Sequence, residues 1–293
     1  MVDLRDKVAV VTGAASGIGR ATASLFARSG MKLALADVER VALEETAHEL
    51  AALGARVVAV PTDVSREEYV ARLAAATLDA FGSVHVVFNN AGVALSGPAW
   101  EASAEDWRWV LGVNLGGVVH GVRAFVPILL RQGGFGHVVN TASMSGLVTL
   151  PSMGVYNASK HAVVAFSETL HHDLAARGST IRVSVVCPGY VATRIMDSAR
   201  NRPGPAGASP SDPAEPASAA TDPDEAAERA RRSETREALR KIGLRPEDVA
   251  GQILATLHEP RFYVFTHPER KEGVRVRSDG ILAEHEPRFV PLA

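Results

Sequence analysis

The chain has 293 residues, 46% hydrophobic and 22% charged, with a formal net charge of −2, which suits one large α/β domain or two small ones with a sizeable core. That balance gives no ground for general affinity for nucleic acid or acidic membranes; its apolar runs are broken by Gly, His or Arg, so no membrane-spanning helix is expected, and the start of the chain has no signal-peptide core. The single cysteine, Cys187, excludes an internal disulfide and a cysteine-based zinc site and, set in an apolar run, reads as a buried structural thiol of a protein in a reducing cytoplasm.

Residues 7–11 form a short β-rich run that enters Thr12-Gly13-Ala14-Ala15-Ser16-Gly17-Ile18-Gly19. Small residues then continue at helical spacing to Ala27, and Gly30 ends that helix. Strand, glycine turn and helix give backbone amides access to a pyrophosphate at a helix N-terminus. Residues 32–36 predict a second strand closed by Asp37, 18 positions past Gly19. A carboxylate there accepts bonds from both hydroxyls of the adenine-side ribose and repels a 2′-phosphate. Val38 follows rather than Arg, and Ser16 is neutral, so all three residues favour NAD over NADP.

Residues 41–53 predict a helix ended by Gly54, and residues 56–60 a third strand followed by Asp63-Val64. A helix over 65–81 would be opened by a Ser65/Glu68 capping box. Residues 84–88 predict a fourth strand leading into Asn89-Asn90-Ala91-Gly92. The alternation implies right-handed crossovers and a parallel sheet. Residues 106–131 are mostly helical, weakened by four glycines and Pro127; Asn114, inside that helix, reads on propensity alone as a local structural kink.

Residues 135–141 predict the fifth strand, placing Ser143 at a carboxyl end, where open α/β sheets bind ligands. Residues 155–177 form the next helix. Tyr156 and Lys160 lie one turn apart on one face of it, and an ammonium near a phenol favours the phenolate. The bare Tyr/Lys pair also suits a helix surface; the preceding motifs give it weight. Residues 181–186 predict the sixth strand, ending in Cys187-Pro188-Gly189-Tyr190-Val191-Ala192-Thr193. His161, His171 and His172 lack ligand partners at metal spacing and are expected on solvent-facing helix positions, with no metal site.

The composition changes over 198–224, where six of the 16 prolines fall, as in a loop or poorly ordered segment. Residues 225–241 are charged and helix-prone, and the arginines at 229–236 read as a solvated face. Another helix is expected from Pro246 to about residue 258, a seventh strand over 261–266 and a short helix over 269–282. The fold expected is a single doubly wound Rossmann-type α/β domain over 1–293, with a seven-stranded parallel sheet, helices on both faces and a variable insertion at about 194–245 as a substrate cover.

These motifs resemble those of the short-chain dehydrogenase/reductase family over nearly the whole chain. Thr12 to Gly19 resembles its T-G-x-x-x-G-x-G loop, Asn89 to Gly92 its N-N-A-G, and Asn114, Ser143, Tyr156 and Lys160 its catalytic set. The resemblance implies that Gly13, Ser16, Gly17, Ile18, Gly19, Asp37, Asp63, Val64, Asn90, Ala91, Gly92, Tyr156, Lys160, Pro188, Gly189, Val191 and Thr193 bind NAD. It also implies a water held by Asn114 on a proton path from Lys160, and a homotetramer or homodimer built on the helices near 106–131 and 155–177. The tail stretch 263–268 is similar to that of members oxidising bulky aromatic alcohols, including lignin-derived aryl ethers.

The residues give the same chemistry. Tyr156 as phenolate takes the hydroxyl proton of a secondary alcohol while hydride leaves for the nicotinamide, and Ser143 bonds the same oxygen. Met144, Ser145, Met153, Tyr190, Ile195 and Met196 are expected to wall an apolar substrate of some size. The alternatives are a catalytically silent NAD(H)-binding regulatory or assembly protein, which would usually lack the Tyr, Lys or Ser, and a related epimerase or dehydratase.

Overall fold

A computed structural model of the chain describes residues 2–203, 237 and 241–290. The arginine cluster at 229–236, most of the proline-rich stretch, and Ala238 and Leu239 lie outside the described residues. Seven strands pair in parallel in the order β3-β2-β1-β4-β5-β6-β7. They are β1 (Val8–Thr12), β2 (Lys32–Asp37), β3 (Val57–Pro61), β4 (Val86–Asn89), β5 (His137–Thr141), β6 (Arg182–Cys187) and β7 (Tyr263–Phe265). The winding reverses between β1 and β4, so a crevice opens beyond their carboxyl ends.

Alternate strand residues feed two cores, because side chains of a strand point to opposite faces. Ala9, Val11, Leu33, Leu35 and Phe88 pack on one face beneath α1 (Gly17–Arg28), α2 (Arg40–Ala52) and α7 (Pro246–His258), meeting Phe26, Leu43 and Ile253. Val10, Ala34, Val87 and Val138 face the other way, beneath α3 (Glu67–Phe81), α5 (Gly117–Gln132) and α6 (Gly154–Ala176), meeting Leu73, Phe125 and Leu174. The central strands are buried on both faces, which is why they read as continuous apolar runs. A last helix, α8 (Lys271–Leu282), follows a 3₁₀ turn at Pro268–Arg270.

Two local expectations are overturned. Ser65 and Glu68 form no capping box: α3 begins at Glu67, the Ser65 hydroxyl donates to Asp63 Oδ1 at 2.7 Å, and Glu68 pairs with Arg66. A reciprocal box instead joins Ser103 and Asp106 at the start of α4 (Ala104–Leu111). The helix expected over 106–131 is present despite its four glycines. From Ala104 to Gln132 it runs continuously for 29 residues, through one π-helical stretch at Gly112–Gly116. By length and composition alone that run could cross a membrane, contrary to the expectation of none, although 44% of its most apolar window is buried here. Its glycines serve close approach: a Cβ on Gly121 would lie 2.0 Å from Asn89 Oδ1 and one on Gly117 2.7 Å from Val64 Cγ2.

β5 carries a pH-sensitive element. His137 is fully buried; its Nε2 lies 2.9 Å from Ser184 Oγ, whose own hydrogen goes to the Arg261 carbonyl at 2.5 Å. Nε2 is therefore the donor. Burial, with Arg182 adding to it, lowers the His137 pKa from 6.5 to about 4. The unfolded chain then binds the proton first, so stability is lost as pH falls from 6.5 through 4. The melting temperature is expected to drop across that window, and to drop less steeply in His137→Gln, as calorimetry at stepped pH would read.

Candidate active site

A cleft of about 620 Å³ runs along the carboxyl ends of the sheet. Its first wall is the turn between β1 and α1. Gly13 and Gly17 have φ of 66° and 53° there, a left-handed conformation that glycine adopts without strain. Gly13 also lies so close to the β4 exit that a Cβ would be 2.9 Å from Ala91 Cα. Asn90 holds that approach, with its Nδ2 donating to the Thr12 carbonyl at 3.0 Å and its amide to Thr12 Oγ1 at 2.9 Å. Ser16, the α1 N-cap, makes no side-chain cap bond, and the first turn of α1 carries no acidic residue. The positive end of α1 is thus left to an anion, which fits a dinucleotide's pyrophosphate.

Asp37 closes β2. Its Oδ2 accepts from the Ala15 amide at 2.9 Å and its Oδ1 from the Glu39 amide at 3.0 Å. Burial raises its pKa despite those two bonds, with the Glu39 charge adding to the rise. Each oxygen keeps a further lone pair for a hydroxyl donor. Ser16, Ile18, Asp63, Val64, Gly92, Pro188, Gly189, Val191 and Thr193 line the same cleft. Gly19 does not: it packs behind the turn, where a Cβ would meet the Gly13 carbonyl oxygen at 2.0 Å.

The opposite end holds the titratable cluster. The Ser143 hydroxyl lies beside Tyr156 in the cleft; its Oγ donates to the Pro188 carbonyl at 3.4 Å and accepts from the Ser145 amide at 3.1 Å. Burial raises the Tyr156 pKa, and the neighbouring Ser143 hydroxyl lowers it in part. Lys160, 3% exposed, donates to the Thr141 carbonyl at 2.9 Å and lies 5.7 Å from the Tyr156 ring centroid. Burial brings its pKa down from 10.5 to about 8.

Asn114 lies beneath this cluster, in the π-helical stretch, and is buried outside the cleft lining. Its Oδ1 accepts from the Val93 amide at 2.8 Å, and its Nδ2 donates to the Val93 carbonyl at 3.0 Å and to Ser159 Oγ at 2.9 Å. A Cβ on Gly92 would come within 3.3 Å of Asn114 Oδ1 and 3.5 Å of Lys160 Nζ, so the two polar groups flank one glycine. The residue first read as a kink therefore ties α6 to the loop after β4.

Of the expected substrate wall, Ser145, Met153, Tyr190, Ile195 and Met196 line the cleft. Met144 does not; it is 1% exposed and packs with Val118, Val148 and Val163. Sequence reasoning missed Trp109, Arg200, Asn201 and Phe289, all of which line the cleft. Phe289 is a lone aromatic in the tail, with no local pattern to mark it. Ile242, near the end of the insertion expected to cover the substrate, is 59% exposed. His171 and His172 are exposed and His161 is half-buried, with Nδ1 2.9 Å from the Asn157 carbonyl. No metal-binding cluster occurs among the described residues.

A doubly wound sheet with an uncapped glycine turn, a strand-end carboxylate and a Ser–Tyr–Lys cluster in one cleft defines a nucleotide-dependent oxidoreductase. The chain belongs to the short-chain dehydrogenase family, whose sequence profile matches residues 7–204. It is similar to a short-chain dehydrogenase/reductase from Burkholderia phymatum, solved in complex with NAD, at 46% identity and a TM-score of 0.90, over 99% of each chain. It is 38% identical over 280 residues to a 1-deoxy-11-beta-hydroxypentalenate dehydrogenase of Streptomyces exfoliatus, covering 95% of this chain and 89% of that protein. It is also 31% identical over 291 residues to a C alpha-dehydrogenase of a Sphingobium strain, covering 98% of this chain and 89% of that protein.

Proposed function

We propose that this chain is an NAD-dependent dehydrogenase that interconverts a bulky, apolar secondary alcohol and its ketone. The observation that carries the reading is that Ser143, Tyr156 and buried Lys160 are gathered in one cleft with Asp37. NAD would lie along the glycine turn, with Asp37 at the adenine-side ribose and Pro188 to Thr193 at the other end; when bound it supplies a hydride acceptor and a positive ring.

The chain's own residues handle the proton. Tyr156 takes it from the substrate hydroxyl, and Ser143 donates to the same oxygen and holds it as charge develops. Lys160 contributes a positive charge that draws the phenol toward its ionised form, against the burial that pushes it up. Asn114, bonded to Val93 and Ser159 and flanking Gly92 with Lys160, would anchor a water that links Lys160 to solvent. Met153, Tyr190 and Met196 favour a substrate with an apolar body. The open half of the long helix Ala104–Gln132, with α6, is the face we assign to assembly with further copies. A screen of secondary alcohols with NAD, read by NADH absorbance, tests the reading; no turnover of any carbinol would overturn it.

Asp37 sets the expected cofactor ratio. Two carboxylate oxygens facing a 2′-phosphate should cost more than about 1.4 kcal/mol, so kcat/KM with NAD should exceed that with NADP by at least about tenfold. Asp37→Ala should shrink the ratio mainly by weakening NAD. Equal use of both cofactors by the unmodified enzyme would remove the assignment.

A further inference from the structure

A cation stands at the ribose end of the cleft. Arg200, on the 3₁₀ turn Ile195–Asn201 that follows the Thr193 segment, lines the cleft together with Asp37 and Val38. No residue near Asp37 in sequence announces it, because Arg200 lies 161 positions beyond Glu39. Its charge is already engaged. Arg200 Nε and Nη2 donate to Glu39 Oε1 at 2.9 and 2.7 Å, and Asn201 Nδ2 donates to the same oxygen at 2.9 Å. Arg200 Nη1 donates to the carbonyls of Arg194 and Asp197 at 3.0 and 2.9 Å. Glu39 is joined in turn to the ribose carboxylate, since its amide donates to Asp37 Oδ1.

We propose that Glu39 is a cofactor-specificity residue: it holds Arg200 as an ion pair and so keeps that guanidinium from serving a 2′-phosphate. This rests on the dinucleotide reading above and adds a second determinant to Asp37. A guanidinium is the side chain best matched to a phosphate monoester, offering parallel donors to two oxygens. Left unpaired beside Asp37, it would offset the repulsion that Asp37 exerts on that phosphate. Paired with Glu39, it presents no net charge, and its Nε, Nη1 and one Nη2 hydrogen are spent. Asn201 adds to the hold without adding charge. Arg194 also lines the cleft and lies near enough to lower the Glu39 pKa, after Asn201 and Arg200 themselves.

The test is equilibrium binding of NADH and NADPH to the purified full-length protein, read by nucleotide fluorescence, for the unmodified chain, Glu39→Gln, Arg200→Gln and the double variant. Glutamine at 39 keeps an acceptor for Asn201 and removes the charge. Glu39→Gln is expected to narrow the NADH-over-NADPH affinity ratio by roughly tenfold, about 1.4 kcal/mol, through tighter NADPH. The double variant is expected to return within about twofold of the unmodified ratio, because the freed cation is gone. An unchanged ratio in Glu39→Gln, or a narrowed ratio that persists in the double variant, would overturn the proposal. Equal weakening of both nucleotides would do the same, leaving the pair as a fastening of the turn only. Failure of the unmodified chain to bind either nucleotide would instead overturn the dinucleotide reading, and this one with it. Thermal melts of each variant separate loss of fold from loss of binding.

Discussion

Tyr156→Phe is expected to lower turnover by roughly 10²-fold or more, the scale of a lost general base. The ring keeps its place in the cleft and only the hydroxyl beside Ser143 is removed. NADH affinity, read by fluorescence, should therefore change little. The pH profile adds a signature that loss of packing would not give. With its pKa raised by burial, Tyr156 is protonated in the free enzyme at neutral pH, so kcat/KM should climb with pH as the phenol ionises. The residual activity of the Phe variant should lose that climb. Near-normal turnover of a good substrate by Tyr156→Phe would remove the tyrosine from the chemistry.

Gly19→Ala is expected to cost both stability and nucleotide affinity. The obstacle is space, since Gly19 has ordinary helical backbone and lies outside the positive-φ glycines. Its added methyl would sit 2.0 Å from the Gly13 carbonyl oxygen and 2.7 Å from Asn90 Nδ2. Neither can move freely: Gly13 belongs to the turn, and Asn90 Nδ2 is committed to the Thr12 carbonyl. Overpacking of this kind costs about 1–3 kcal/mol and is relieved by backbone shift. The shift falls on the turn that presents the α1 amides, so NADH affinity should fall at least about tenfold, an order of magnitude per 1.4 kcal/mol. Gly54→Ala is the contrast, because its Cβ would meet nothing within 4 Å; its strain is conformational, at φ 87°, and distant from the cleft. Unchanged melting and NADH binding in the Gly19→Ala variant would mean that the turn yields at no cost.

Much of the architecture was legible because its signals are local. Val8 to Thr12 and Arg182 to Cys187 are apolar runs closed by turn residues, and such runs become the doubly buried strands of a parallel sheet. That the glycine turn, Asp37, Ser143, Tyr156 and Lys160 would share one cleft was readable because each sits at or just past the end of an element on the carboxyl side of the sheet. Where a helix was read correctly, over 106–131, the glycines that weaken it on propensity leave the space into which Val64 and Asn89 pack. Misreadings arose where local propensity met a tertiary contact. Ser65 and Glu68 have capping-box spacing, but Asp63 and Arg66 take their side chains first. Met144 follows Ser143 directly and still turns into the core with Val163. Arg200 and Glu39 were beyond reach altogether, since nothing in either neighbourhood encodes a partner so far along the chain.

Cys187 gives the molecule a built-in clock for opening. The thiol is fully buried at the end of β6, and burial pushes its pKa up to about 12, so the native state offers almost no thiolate to an alkylating reagent. It is the one cysteine of the chain, so each labelling event reports a single place, next to Pro188-Gly189 in the cleft wall. Reaction with iodoacetamide must wait for β6 to detach, which makes its rate a measure of that opening's free energy. A nucleotide that binds only the closed form would slow the labelling by one plus its concentration over its Kd. The chain thus reports occupancy of its own cleft through chemistry that takes no part in the reaction, and does so in variants that no longer turn over.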